Sequence, residues 1–150
     1  MLNNINLSRV LFLDIETVPE TYNYKELNNN KKKIWEEKHG GEKEYPKSSI
    51  LAEFGKIICI SVGFFDLKNP KKRSFRIKSF IGEETEILEN FKDLCDSHFH
   101  LKSSLLCAHN GREFDFPFIA RRMIINKVKL PKILDMHEKK PWEIPHLDTL

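Results

Sequence analysis

The sequence is poor in cysteine, has no long hydrophobic run and carries little excess charge. Its 150 residues include 3 cysteines, Cys59, Cys95 and Cys107, without a C-x-x-C spacing. We interpret them as buried, reduced thiols, which predicts a reducing compartment, with the cytoplasm as the default. Neither a membrane-spanning run nor the apolar core of a signal peptide is expected. The net charge of +3 is compatible with a polyanionic partner but too small to argue for one.

Enough apolar material is present for one core. Hydrophobic residues make up 40% of the chain and charged residues 31%, and this length fits one domain. The stretch from Asn28 to Ser49 is polar, mixed in charge and broken by glycine and proline. We therefore predict a single domain over residues 1–150 with a surface insertion at about 28–49. One short helix is expected there, around Ile34 and Trp35. A solvated face is favoured over a basic DNA-binding arm.

Hydrophobic periodicity predicts an α/β fold. The order of elements is strand, insertion, strand, strand, helix, strand, helix, which favours a mixed sheet with helices packed on it. An irregular tail follows. The predicted strands are Val10–Leu13, Gly55–Asp66, Ser74–Ile81 and Leu105–Ala108. The second and third of these are expected to form a hairpin with a turn at Asn69–Lys72. Helices are predicted within 82–99 and from Phe116, and Pro117 is tolerated in the first turn of the second helix.

Three acids stand where elements of this fold are predicted to begin or end. Asp14 and Glu16 follow the first strand, and their i, i+2 spacing places both side chains on one face. Asp115 precedes the helix from Phe116, where backbone N–H groups and the helix dipole should keep it ionised. Strand ends are where open α/β sheets place their sites. A solvated strand end for the pair and a plain N-cap for Asp115 are the alternatives.

Converging carboxylates repel each other and therefore require cations. Oxygen ligands without clustered Cys or His favour Mg²⁺ or Mn²⁺ over zinc. Two such ions, roughly 3.5–4 Å apart, clamp the attacking and leaving oxygens of a phosphodiester displacement. The three acids thus indicate metal-assisted hydrolysis of a phosphodiester bond.

Two segments resemble the first two motifs of the DEDD 3′–5′ exonucleases, which have a ribonuclease H-like fold. These segments are LDIET and AHNGREFDFPFIARR, the second of which meets the pattern N-x-x-x-F-D with Asn110, Phe114 and Asp115. The likeness is to the proofreading exonuclease domain of family B DNA polymerases and to predicted stand-alone bacterial relatives. It spans roughly Val10 to Arg122 and includes the strand FGKIICISVGFF.

The resemblance implies a 3′–5′ exonuclease that acts on single-stranded DNA or RNA 3′ ends, DNA being favoured, with two Mg²⁺ or Mn²⁺ ions. It implies catalytic and metal-binding roles for Asp14, Glu16 and Asp115. The candidate substrate-binding residues are Thr17, Asn110, Arg112 and Phe114. From the residues alone, Asn110 is equally a turn residue beside Gly111, and Phe114 is equally a core side chain.

Other polar residues of the second segment receive structural interpretations. Arg121 and Arg122 are expected on a solvated helix face, with phosphate contact as the alternative. His109 is expected to be structural or to support the site indirectly, since the six histidines show no ligand spacing.

The sequence departs from the family in its third motif, Tyr-x-x-x-Asp or His-x-x-x-Asp. That motif supplies the last metal ligand and orients the attacking water, and no Asp of this chain has Tyr or His four residues before it. We interpret the chain as C-terminally truncated, without its closing helix, and expect slow hydrolysis at best. Asp148 as a replacement ligand is a minor alternative. The competing functions are a degenerate module that binds a nucleic-acid end or a protein, and a structural domain with chance acids.

Overall fold

A five-stranded mixed sheet forms the centre of the protein in this computed structural model. The structure describes residues 5–67 and 74–150. No helix in these ranges is long and apolar enough to cross a membrane. The elements are β1 (Val10–Pro19), α1 (Asn29–His39), β2 (Gly55–Asp66), β3 (Ser74–Ile81), α2 (Glu84–His98), β4 (Leu105–Ala108), α3 (Asp115–Ile125) and β5 (Leu147–Asp148), with short 3₁₀ helices at Leu7–Arg9, Tyr24–Glu26, Glu42–Ile50 and Pro141–Glu143.

The strand order is β3-β2-β1-β4-β5. The β1–β2 and β2–β3 pairs are antiparallel, whereas β1–β4 and β4–β5 are parallel. The predicted mixed α/β sheet and the predicted β2–β3 pairing are therefore confirmed. The expected turn at Asn69–Lys72 lies outside the described residues.

The first strand is longer than predicted, because β2 pairs with it as far as Pro19 opposite Gly55. Asp14 and Glu16 therefore lie within β1, and the prediction that they follow its end is wrong. Pairing with β4 is shorter and covers only Val10 to Phe12. Beyond Phe12, one edge of β1 is thus no longer bonded to β4.

Helices α2 and α3 pack on one face of the sheet. Alternate residues of β1, namely Leu11, Leu13 and Ile15, point into this core, as the two-residue period of a strand requires. The helices contribute their apolar stripes at helical spacing. These stripes are Ile87, Leu88, Phe91 and Cys95 from α2, and Phe116, Phe118, Ile119 and Met123 from α3.

The segment predicted as an insertion contains the expected helix, α1, and also an apolar cluster. Trp35 of α1 is buried with Leu27, Tyr45 and Phe54, and its indole N–H donates to the Gly41 carbonyl at 2.8 Å. Aromatic burial of this kind anchors the segment against the end of the sheet.

The tail also differs from the prediction, because it adds β5 beside β4. Two residues are too few to show strand periodicity in a sequence. Buried His146 fastens this strand: its Nδ1 accepts the Leu106 N–H at 3.2 Å, and its Nε2 is 2.8 Å from the Ile133 carbonyl. Because Nδ1 accepts, Nε2 carries the proton and the ring is neutral. Burial lowers the pKa of His146, which favours this neutral form.

Arg122 is buried, so the prediction of a solvated side chain is wrong for this residue. Its guanidinium bonds both carboxylate oxygens of Glu84, one of them at 2.8 Å, and donates to the Ala52 carbonyl at 2.9 Å. Burial raises the pKa of Glu84, but hydrogen bonds from Arg122 and from the Ile57 N–H outweigh it, and the pKa is lowered. The pair therefore joins α2, α3 and the start of β2 as a desolvated ion pair.

Replacing Arg122 should be far more damaging than replacing its neighbour. Arg122→Met leaves Glu84 charged and buried, and we expect the free energy of unfolding to fall by about 3–5 kcal/mol. Arg121→Met is the matched control, since the Arg121 side chain is 57% exposed, and its effect should stay within about 0.5 kcal/mol. Urea denaturation monitored by tryptophan fluorescence measures both. Similar losses in the two variants would contradict the buried-pair interpretation.

Candidate active site

Asp14 and Glu16 project from the sheet face opposite the helical core. Both are exposed, and they alternate with the buried Leu13 and Ile15. Their neighbours across the antiparallel pair are Ser61 and Cys59 of β2. The predicted side-by-side placement follows from this alternation, with the two Cα atoms about 6.6 Å apart along the strand at two residues of rise.

A tight turn between β4 and α3 delivers Asp115 to this region. Asn110 adopts a left-handed conformation with φ of 57°, and its carbonyl accepts the N–H groups of Glu113 and Phe114. Gly111 follows because a side chain does not fit: a Cβ there would lie 2.6 Å from the Ala108 Cβ and 2.7 Å from the Phe116 ring. The turn role that the residues alone suggested for Asn110 is therefore present in the structure.

Asp115 is the first residue of α3, and its N-cap is Phe114. The side chain is 3% exposed, and its Oδ1 has no hydrogen-bond partner in the described parts of the chain. Burial raises the pKa of Asp115 to about 6, and the charges of Asp14 and Asp148 act in the same direction. The N–H groups of Asp115 and Ile15 oppose this shift. The alternative of a plain N-cap is therefore wrong, because Phe114 takes that position. Burial outweighs the helix terminus in its effect on the pKa of Asp115, but a pKa of about 6 still leaves the carboxyl mostly ionised at pH 7.5.

A buried carboxylate oxygen without a donor is the kind of group that a cation satisfies. Asp115 and Asp14 interact electrostatically. A cation between them would reduce the repulsion between the two carboxylates and would also bond Oδ1 of Asp115. Hard oxygen ligands of this kind suit Mg²⁺ or Mn²⁺. The ligand set is incomplete, however, because no group of three or more His, Cys, Asp or Glu within residues 5–67 and 74–150 could hold a metal ion.

The other predicted site residues lie on the strand and on the turn that carry these acids. Thr17 lies at a β-bulge where the register of β1 against β2 shifts after Glu16. Phe114 is partly buried against the core, with its ring 5.3 Å from that of Phe118. Arg112 is exposed, and its guanidinium donates to the His146 carbonyl at 2.6 and 3.2 Å. The bonds to the His146 carbonyl therefore hold the Arg112 guanidinium in place. Its predicted contact with a substrate phosphate stays a prediction.

Sequence reasoning gave little weight to β5, which borders the site. Asp148 lies beside Ala108 at the end of β4, close enough for its charge to raise the pKa of Asp115. The sequence signal was the polar–apolar–polar alternation of His146, Leu147 and Asp148 in IPHLDTL. In a strand, this spacing places His146 and Asp148 on the same face. That signal was too short to indicate a strand.

Comparison with protein families decides the class of this domain. A family model described as the RNase H superfamily matches residues 50–150, or 101 of the 150 residues. The chain belongs to the RNase H superfamily. The matched part of this RNase H-like domain runs to β5 and contains Asn110, Phe114 and Asp115. It begins after β1, so it does not include Asp14 or Glu16.

Comparison with individual proteins adds less. None of the curated proteins matches the sequence. Among solved structures, the chain is similar to the family B DNA polymerase from the hyperthermophilic archaeon Pyrobaculum calidifontis, with 18% identity and a TM-score of 0.43. The match covers 81% of this RNase H-like chain and 11% of the polymerase chain. At that coverage, nothing of the polymerase's activity transfers to this chain.

Removing the Asp115 charge should stabilise the metal-free protein. The folded-state pKa of about 6 exceeds the ordinary value of 3.8, so the ionised form destabilises the fold as pH rises from about 4 to about 6. Asp115→Asn should therefore raise the free energy of unfolding at pH 7.5 by on the order of 1–3 kcal/mol, and this gain should vanish below about pH 4.

Thermal melting from pH 3.5 to 8 in the presence of a chelator measures this effect. Asp135→Asn provides the control, because Asp135 is exposed and its carboxylate accepts a local N–H, that of His137, at 3.3 Å. If Asp115→Asn melts at or below the wild-type temperature at pH 7.5, the buried charge is not a destabilising feature.

Proposed function

We propose that this RNase H-like domain is a 3′–5′ exonuclease that hydrolyses phosphodiester bonds at single-stranded nucleic-acid ends, with DNA the favoured substrate. The observation that carries the proposal is the buried Oδ1 of Asp115, which has no hydrogen-bond partner among the described residues and lies near the exposed Asp14. Membership of the RNase H superfamily supports a nuclease. The 3′ end and its single-stranded form follow from the resemblance of the segments LDIET and AHNGREFDFPFIARR to exonuclease motifs.

Each acid has a task in this proposal. Asp14, Glu16 and Asp115 would hold Mg²⁺ or Mn²⁺ through their carboxylate oxygens. When bound, two such ions stabilise the attacking and leaving oxygens of the displacement. Asp14 and Glu16 lie on the open face of β1, which a nucleic-acid strand can approach, whereas Asp115 is fixed at the start of α3.

Four further residues position the substrate in this proposal. Thr17 and Asn110 lie beside the terminal nucleotide, and the partly exposed ring of Phe114 stacks on its base, which tolerates any sequence. Arg112 offers its guanidinium to phosphate while two of its nitrogens donate to the His146 carbonyl. The chain lacks the third motif of the DEDD family, so we expect these 150 residues alone to hydrolyse slowly.

A second candidate function is a binding module that holds a nucleic-acid end or a protein without cutting it. Two observations favour it: the missing Tyr-x-x-x-Asp or His-x-x-x-Asp motif, and the lack of a three-ligand cluster among the described side chains. The two candidates share the fold and differ in whether bound nucleic acid is hydrolysed.

Digestion of 3′-labelled single-stranded DNA and RNA in Mn²⁺ distinguishes the two functions. We expect mononucleotides to be released slowly by the wild type, and Asp14→Ala and Asp115→Ala to reduce the rate to background. Glu113→Ala is the matched control, because Glu113 is an exposed acid outside the proposed site, and it should cleave at the wild-type rate. Binding of the DNA without cleavage would favour the binding module. Wild-type rates in both aspartate variants would exclude the proposed site.

Affinity for Mn²⁺ should depend on pH in a way set by Asp115. A proton competes with the ion at a carboxyl whose pKa is about 6, so Mn²⁺ should bind about tenfold more weakly at pH 5 than at pH 7. Titration calorimetry at both values, repeated with Asp115→Asn, measures the effect. The variant should bind weakly at either pH. An unchanged affinity in that variant would remove Asp115 from the metal site.

A further inference from the structure

The carboxylate of Asp148 is bonded to the turn that precedes Asp115. Its Oδ1 accepts the Asn110 N–H at 2.8 Å, and its Oδ2 accepts the Arg112 N–H at 3.0 Å. Oδ1 also accepts the Leu150 N–H at 3.1 Å. A carboxylate that accepts several N–H bonds is held in its charged form. The Arg112 N–H contributes most to lowering the pKa of Asp148. Burial acts in the opposite direction, and the Leu150 and Asn110 N–H groups lower the pKa further.

Further bonds tie β5 to the same turn. The Arg112 guanidinium donates to the His146 carbonyl, at 2.6 Å from Nη2. The Thr149 N–H donates to the Ala108 carbonyl at 3.1 Å, and the Thr149 hydroxyl is 3.1 Å from Nδ1 of His109. The turn and the end of β4 are therefore bonded to β5 and to the residues that flank it, which lie 34 to 41 positions away in the sequence.

The bonded turn controls where Asp115 can lie. Asn110 holds a left-handed conformation, which asparagine adopts more readily than most other residues with a Cβ. Its N–H is fixed by Asp148, while its carbonyl accepts the N–H groups of Glu113 and Phe114. The Gly111 carbonyl in turn accepts the Phe116 N–H at 2.9 Å. The hydrogen bonds to Asp148 therefore fix the turn that leads into the first turn of α3, which includes Asp115.

We propose that Asp148 is a positioning residue, which holds the β4–α3 turn so that the Asp115 carboxylate faces Asp14 and the N–H of Ile15 on β1. In this proposal Asp148 serves as an anchor for the turn, whose N–H groups bond both of its oxygens, and not as the missing metal ligand. The role in metal binding rests on the proposed function above, whereas the role in placing Asp115 does not.

Amide hydrogen exchange tests the placement without metal. Asp148→Asn keeps the size of the side chain but loses one acceptor, and Asp148→Glu keeps the charge but displaces the carboxylate. In both variants we expect exchange at Asn110 and Arg112 to become at least tenfold faster. Exchange should also accelerate at Ile15, whose N–H stabilises the Asp115 carboxylate. Ile15 is the decisive reporter, because a role confined to the turn would not reach β1.

Asp135→Asn serves as the control, and its exchange at all three amides should match the wild type. Amides of β2, which lies between β1 and β3 in the sheet, should stay protected in every variant; Ile60 is an example. This protection separates loosening of the turn from unfolding. Faster exchange at Asn110 and Arg112 with unchanged exchange at Ile15 would overturn the proposal. Unchanged exchange at all three amides would overturn it as well.

Mn²⁺ titration of the same variants separates positioning from ligation. Positioning predicts that both variants bind Mn²⁺ at least threefold more weakly than the wild type. Loss of binding in Asp148→Asn with unchanged exchange would instead identify Asp148 as a ligand, against the proposal. A wild type that binds no Mn²⁺ would refute the proposed function, and the exchange at Ile15 would still decide the placement of Asp115.

Discussion

The burial of the Asp115 carboxylate is the constraint on which the rest of this site depends. Strand β1 is paired with β2 from Phe12 to Pro19 but with β4 only as far as Phe12, so an edge of β1 opens where α3 begins. Asp115 lies beside this edge with one oxygen unpartnered in the described chain. Buried charged groups rarely lack a bonding partner unless a ligand supplies one.

The surrounding structure holds this unfavourable group in place. The Glu84–Arg122 pair joins α3 to α2 and β2, Gly111 permits a close approach to Ala108 and Phe116, and β5 anchors the turn through Asp148. Functional sites commonly retain such a local cost, which the remainder of the fold offsets. The exposed face of β1 then presents Asp14 and Glu16 beside the buried acid.

Much of this architecture follows from local patterns in the sequence. The bounds of β2, β3 and β4 match their apolar runs, and the helical spacing of Ile87, Leu88 and Phe91 predicts the buried stripe of α2. The i, i+2 rule places Asp14 and Glu16 on one face because it depends only on backbone geometry.

The features that sequence reasoning missed depend on contacts between distant residues. The length of β1 is set by its partner β2, which no local pattern reveals. Burial of Arg122 depends on Glu84, 38 positions earlier, and a charged residue in a helix otherwise indicates solvent. The two-residue β5 is defined by β4 and by the bonds of His146 and Asp148. The raised pKa of Asp115 likewise reflects desolvation by the whole fold and not its place at a helix start.

The central claim is that a divalent cation bonds the Oδ1 of Asp115, and anomalous diffraction tests this contact most directly. Crystals grown at pH 7.5 in Mn²⁺ should show an anomalous peak roughly 2 Å from Oδ1 of Asp115, with Asp14 within coordinating distance of the same ion. A well-ordered Asp115 whose Oδ1 is bonded only to water or to a protein donor, with no peak nearby, would contradict the account.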